Sequence, residues 1–203
     1  MKKYAVLHEP GDIVTLAGTR FVVLDVERRG SLPDSLFLLA LESVGASEFG
    51  SSNNYAESDL KKAVDKWLEE MGKRGLDNAK LIPREIDLTT LDGSGCYGKL
   101  SVKAAPLTLD EAREYADIIP NAERWCWLAT GWSGPSKSDG GGALYVNSNG
   151  DWFGGGCSGS YGIRPALKAP SILFEDSEAG LDLSKIPTDD LLQEIHRRLA
   201  EKA

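Results

Sequence analysis

The sequence predicts an α+β domain, and three observations carry that reading. Short apolar segments separated by turn residues fill the first 41 positions, as in a meander of strands. Two later segments carry helix start signals followed by apolar residues at helical spacing. The last third is dense in tryptophan, glycine, serine and asparagine, which suits loops and short strands.

In chain order, residues 3–8 are short and apolar, and Pro10, Gly11 and Asp12 form a turn. Strands are predicted at 13–16 and 21–26, broken at Ala17, Gly18 and Thr19. The run LFLLAL at 36–41 has the length of a fully buried strand. A polar connection over 43–54 leads to the clearest helix. Asn54 and Glu57 have capping-box spacing, and Leu60, Ala63, Val64, Trp67, Leu68 and Met71 form one stripe. Trp67 is therefore a core anchor, with Gly72 or Gly75 ending the helix.

Residues 80–106 read as irregular chain with short strands, a length that is functional or packed by its own side chains. A second helix starts at Thr108, with Glu111 completing a capping box and Leu107 stapling onto Ala112. Leu109, Ala112, Ala116 and Ile119 make its inner face, and Pro120 stops it. A strand over 125–130 sets Trp125 and Trp127 on one face, with Cys126 and Leu128 on the other. Residues 131–142 form a loop, 143–147 are extended, Asn149-Gly150 makes a hairpin turn, and 151–153 return. Residues 154–159 are too small to pack as a central strand. Residues 161–167 close as a final strand, with Pro165 placing it at an edge or terminus.

From Ala169 the composition turns acidic. Thr188 then caps a third helix with Leu191, Leu192, Ile195 and Leu199 on one face. The division expected is a domain over 1–168 and, over 169–203, an acidic linker with an amphipathic helix for docking or oligomerisation.

The chain has 203 residues and a formal net charge of −8. With basic residues scattered, nucleic acid is not an expected partner, since phosphate binding needs a basic face. No apolar run reaches the roughly 20 residues of a membrane helix, so no membrane insertion is expected. No signal-peptide pattern opens the chain, so the expected site of synthesis is the cytoplasm. Three cysteines, Cys96, Cys126 and Cys157, lack metal-ligand spacing and read as reduced thiols. His8 and His196 lie near opposite ends, which disfavours a zinc site or a histidine triad. No metal, cofactor or catalytic residue is expected, and the protein is read as a non-enzyme.

Four of the five tryptophans and two of the three cysteines fall within 125–167. Aromatics among Ser, Gly and Asn are how binding loops are composed. Trp132, Trp152, Phe153 and Tyr161 are the candidate anchors, because Trp and Tyr dominate interface energetics. Ser133, Ser136, Lys137, Ser138, Asp139, Asn149, Asp151, Cys157, Ser158 and Ser160 complete the candidate ligand-binding set. Asn147, Asn149 and Asp151 alternate like calcium ligands, but Gly150 is misplaced and no bidentate Glu follows, so a turn is the better reading.

As a set, these motifs resemble a known family. GDIVTL at 11–16, LIPREIDLTTLDGSGCYG at 81–98, PLTLDEAREY at 106–115, and the ending built from WLAT, YVNSNGDW and YGIRPAL carry the resemblance. They are similar to C-type-lectin-like domains of phage and gut-bacterial proteins. Some of these are variable proteins of diversity-generating retroelements; others form a related family of unknown function. The resemblance covers roughly residues 1–168 and is most specific at its end. It implies two helices flanking small antiparallel sheets, and a loop-rich last third displayed toward a protein or cell-surface ligand. The Asn-Asp pair and Glu-Pro-Asn-like motif of calcium-dependent sugar binders are absent. The cysteine surroundings also depart from those of formylglycine-generating enzymes, which share the fold. Residues 153–161 all lie within the set reachable by randomising the adenines of an Asn codon, as a diversified target requires. The function expected is thus ligand binding, with retroelement diversification as its extension. The alternative is an assembly protein of a phage particle, made oligomeric by its C-terminal helix.

Overall fold

The computed structural model describes residues 8–30, 32–135 and 141–174, and within the C-terminal segment residues 188, 189, 192, 193, 196 and 197. The strand expected over 3–8 lies outside these apart from His8. So do Ser136, Lys137, Ser138 and Asp139, and Leu191, Ile195 and Leu199 of the third helix. Among the described residues, twelve strands and two α-helices of more than one turn make a mixed α+β fold dominated by sheet.

Strands β1 (Ile13–Leu16), β2 (Thr19–Arg29) and β3 (Leu32–Ala40) form an antiparallel meander. Ala17 and Gly18, both at positive φ, supply the two-residue turn between β1 and β2, whose twist suits a hairpin. Strand β4 (Ala46–Glu48) leads to a 3-10 turn over Tyr55–Glu57 and to helix α1 (Asp59–Lys73). Strands β5 (Arg84–Asp87) and β6 (Lys99–Val102) pair as a separate ribbon, followed by β7 (Ala104–Ala105) and helix α2 (Leu109–Glu114). The last third contributes β8 (Cys126–Gly131), β9 (Gly142–Val146), β10 (Trp152–Gly156), β11 (Ser160–Gly162) and β12 (Ala166–Pro170). The first sheet has the order β1-β2-β3-β12-β7, and the second β10-β9-β8-β11-β4. Both are antiparallel except where β11 runs parallel to β8.

Two hydrophobic clusters flank the sheets, which explains the continuous apolar runs in their central strands. Phe21, Val23, Leu36 and Leu38 join Leu60, Val64 and Met71 of α1, together with Trp127 and Tyr145 of the second sheet. Val22, Leu24 and Leu39 face the other way and join Leu109 and Ala112 of α2 with Leu128 and Leu144. Trp67 packs on the first cluster beside Phe21, the core anchor its place in the stripe predicts.

Several sequence expectations need correction. Helix α1 is capped by Ser58, not Asn54. The Ser58 hydroxyl accepts from the Lys61 N–H at 2.9 Å, while Asn54 caps only the preceding 3-10 turn. The cause is Tyr55, whose fully buried ring occupies its own turn before the α-helix can begin. Replacing Ser58 by alanine is expected to cost about 1 kcal/mol in urea unfolding, and Asn54 by alanine distinctly less. Equal losses would return the cap to Asn54. At the other end, Leu76 N–H bonds Met71 O and Gly75 N–H bonds Gly72 O, which closes the helix in a Schellman motif.

Helix α2 has the predicted capping box: Thr108 Oγ1 accepts from Glu111 N–H, and Glu111 Oε2 accepts from Thr108 N–H at 2.8 Å. It stops at Glu114 rather than near Pro120, and Ala116 is exposed. Tyr115 turns inward instead, with its ring 5.6 Å from that of Phe37. The single strand expected over 161–167 is two strands in different sheets. The chain passes from β11 to β12 through Ile163, Arg164 and Pro165, and β12 lies between β3 and β7 rather than at an edge. Pro165 sits just ahead of β12, where no ladder N–H is needed. Ordered chain also passes the expected boundary at 168, since Phe174 is buried in the first cluster against His8.

No helix among the described residues is long and apolar enough to cross a membrane.

Candidate binding surface

The second sheet carries the candidate site, and its register decides which side chains meet. Trp127 pairs with Tyr145 across β8 and β9, and Tyr145 pairs with Phe153 across β9 and β10. Directly paired residues project to the same side of a sheet, so one aromatic row crosses three strands. Tyr161 on β11 closes on it, with its ring centroid 4.5 Å from Trp127 and 4.6 Å from Tyr145. Trp125, one residue ahead of β8, stacks on Tyr145 at 5.2 Å with an interplanar angle of 12°. Phe153 stacks on Tyr145 at 5.9 Å and 23°.

The row is anchored at depth and open at its rim. Trp127 is fully buried, donates from Nε1 to Ser47 O at 2.9 Å, and meets Phe49 edge-on. Trp125 and Phe153, by contrast, are 46% and 47% exposed. Offset and edge-on aromatic pairs add roughly 0.5–1.5 kcal/mol each beyond burial, so the exposed rings sit on a stiff base. Gly155 keeps the row bare. A Cβ there would lie 3.1 Å from both Tyr145 and the Tyr161 hydroxyl. Beside the rings, Glu123, Arg124, Trp125, Ser148, Ser160 and Tyr161 line a shallow cleft that adds charge and hydroxyls.

The four anchors predicted from sequence do not form one surface. Phe153 and Tyr161 lie on the aromatic row, whereas Trp152 and Trp132 project from the opposite face. Trp152 lies under the Arg113 guanidinium, 5.6 Å from its ring centroid. Trp132 rests flat against Gly154, where a Cβ would come within 2.2 Å of the indole. Two members of the predicted set are not on a surface at all. Ser133 is buried, its carbonyl accepting from Asn53 Nδ2 at 2.8 Å, because Asn53 ties 131–134 to the loop carrying Tyr97. Cys157 is buried too, held where its carbonyl accepts from Phe49 and Gly50 N–H groups.

Ser158 and Ser160 are exposed beside the row. Asn149 and Asp151 are exposed at the hairpin tip, where Asn147 Oδ1 accepts from both their N–H groups at 2.8 and 2.9 Å. These oxygens build the turn, as the sequence reading favours. Trp125, Tyr145, Glu123 and Arg124 are absent from the predicted set. The Asn149-Gly150 turn signalled the hairpin but not its register: a two-residue loop would set 145 opposite 154, whereas a three-residue loop over 148–150, with Gly150 at positive φ, sets Tyr145 opposite Phe153.

All three cysteines are free. Burial pushes the Cys126 and Cys157 thiols up to about 11, so both are protonated at neutral pH and poor nucleophiles. Cys96 is exposed. Iodoacetamide at pH 8 is therefore expected to label one site in the native protein and three after denaturation, read by mass spectrometry. Fast native labelling of Cys157 would contradict its burial. No family model matches the chain, and comparison with curated proteins and with solved structures finds no match.

Proposed function

We propose that this chain is a non-enzymatic ligand-binding protein with a C-type-lectin-like fold, recognising a protein or cell-surface ligand through the aromatic row. The observation that carries the reading is Trp125 and Phe153 stacked on either side of Tyr145, half exposed and braced from below by Trp127. Large rings already held rigid lose little entropy on binding, which is what an energetic anchor needs. Ser158, Ser160, Glu123 and Arg124 supply the polar rim. Protonated, buried thiols at Cys126 and Cys157 agree with a non-enzymatic role.

The reading extends to a diversified protein of a phage or gut bacterium. Packing would confine variation to the exposed Phe153, Gly156, Ser158 and Ser160, because Gly154 and Cys157 are spoken for by Trp132 and by the core. A near-repeat of the encoding DNA that differs only at adenines would establish it; invariant DNA with no such repeat would end it. Binding itself is tested by presenting the immobilised full chain to surface proteins of candidate host cells, with the row mutated as control.

The second reading is an assembly protein whose C-terminal helix drives oligomerisation. It draws on helical backbone at Thr188, Asp189, Leu192, Gln193, His196 and Arg197, with Leu192 exposed. Loss of oligomers on deleting 188–203, with retained monomer folding, would favour it.

A further inference from the structure

The face of the second sheet opposite the aromatic row closes over a cavity of about 110 Å³. Leu107, Ala112, Ile119, Leu128 and Val146 give it apolar walls, and Trp152 stands among its lining residues. The one charged group in that lining is Arg164. This arginine is only 7% exposed. Its Nε donates to Ala40 O at 2.7 Å and its Nη1 to Pro120 O at 2.9 Å, while Nη2 is buried with no partner.

Arg84 makes the contrast. Its side chain is also buried, at 8% exposure, but it is paired with Glu111. Arg164 has no carboxylate partner among the described residues. The titratable group felt there is Cys126, a neutral thiol at physiological pH. A guanidinium does not shed its proton in a protein. Carbonyl dipoles satisfy two of its edges, and the charge itself remains uncompensated, a costly state for a buried ion.

We propose that this cavity binds a small carboxylate with an apolar body, its carboxylate turned to the Arg164 guanidinium and its body between the α2 and β8–β9 side chains. Guanidinium and carboxylate carry opposite charge, so a carboxylate in the cavity compensates the charge that the two carbonyls leave. The size also fits. A cavity of roughly 150 Å³ lined by apolar side chains admits benzene, so one slightly smaller with an open mouth takes a ring or short branched chain. Trp152, lining the cavity and 40% exposed, reports occupancy, and the cavity shares the buried Trp127 with the aromatic row but none of its exposed rings, so either can fail alone.

The test titrates the full chain with benzoate and with its neutral counterpart benzamide, read by tryptophan fluorescence and calorimetry. Benzoate is expected to bind with a Kd on the order of 1 mM or tighter, and benzamide at least tenfold more weakly. Ala116→Phe at the exposed mouth should weaken benzoate about tenfold or more with unchanged circular dichroism, while Trp125→Ala should not. Arg164→Lys should weaken it as well, and the Ala116 variant keeps the test decisive if that protein fails to fold. Equal binding of benzamide and benzoate would overturn the role of Arg164. Absence of benzoate binding at 10-fold above that Kd would overturn the site.

Discussion

Replacing Glu111 by alanine is expected to destabilise the protein by about 3 kcal/mol, read as a lower urea midpoint with an unchanged slope. Glu111 does two jobs. It pairs with the buried Arg84 and accepts from the Thr108 N–H to complete the capping box of α2. Burial pushes the Arg84 guanidinium below its ordinary range and Glu111 pulls it back up, which shows how far the site leans on that carboxylate. Removing one partner of a buried pair costs about 3–5 kcal/mol, because the other charge is stranded. The low end applies here, since Glu111 remains 22% exposed and water can reach the pair. The Arg84 Nη2 bonds to Ala105 and Pro106 carbonyls would persist and hold the guanidinium in place. Glu111→Gln keeps the acceptor for Thr108 and loses only the charge, so it should fall between wild type and alanine. A loss below about 1 kcal/mol for the alanine variant would mean that Arg84 is solvated without its partner.

The double change of Trp125 and Phe153 to alanine is expected to abolish partner binding with little change in folding. Interface anchors of this type cost about 2 kcal/mol or more each on truncation, so affinity should fall on the order of a thousandfold. Folding should survive because both rings are half exposed and Trp127, which carries the buried end of the row, stays. Trp127→Ala is the contrasting control, expected to cost about 3–5 kcal/mol of stability. Full-strength binding by the double variant would remove the aromatic row from the recognition role. Retained binding there with loss in a Trp132 variant would move the ligand to the opposite face.

Much of the architecture was legible because it rests on local rules. The stripe of α1, the capping box of α2, the hairpin turn at Asn149-Gly150 and the buried run at 36–41 each follow from neighbours within a few positions. The misses share a cause of longer range. Asn54 lost the cap to Ser58 because Tyr55 is drawn into a core assembled from distant chain. The segment 161–167 was split because its halves pair with β4 and β8 on one side and with β3 and β7 on the other. No local period records such a change of sheet. The sequence marks the candidate site as aromatic and glycine-rich, but its members were assigned by composition. Ser133 and Cys157 were buried by partners at Asn53, Phe49 and Gly50, some eighty to a hundred positions away.

Taken alone, the sequence determined the class of fold, two helix faces, the turn chemistry and the concentration of rings in the last third. Those properties depend on backbone preference and on periodicity, which act over one or two turns of chain. Only the tertiary structure decided that Trp125 and Tyr145 join Phe153 while Trp152 and Trp132 face away, and that Arg164 is sealed in without a counter-charge among the described residues. Strand register sorts side chains onto two faces, and burial withdraws solvent from a charge; both arise only when segments far apart in sequence are brought together.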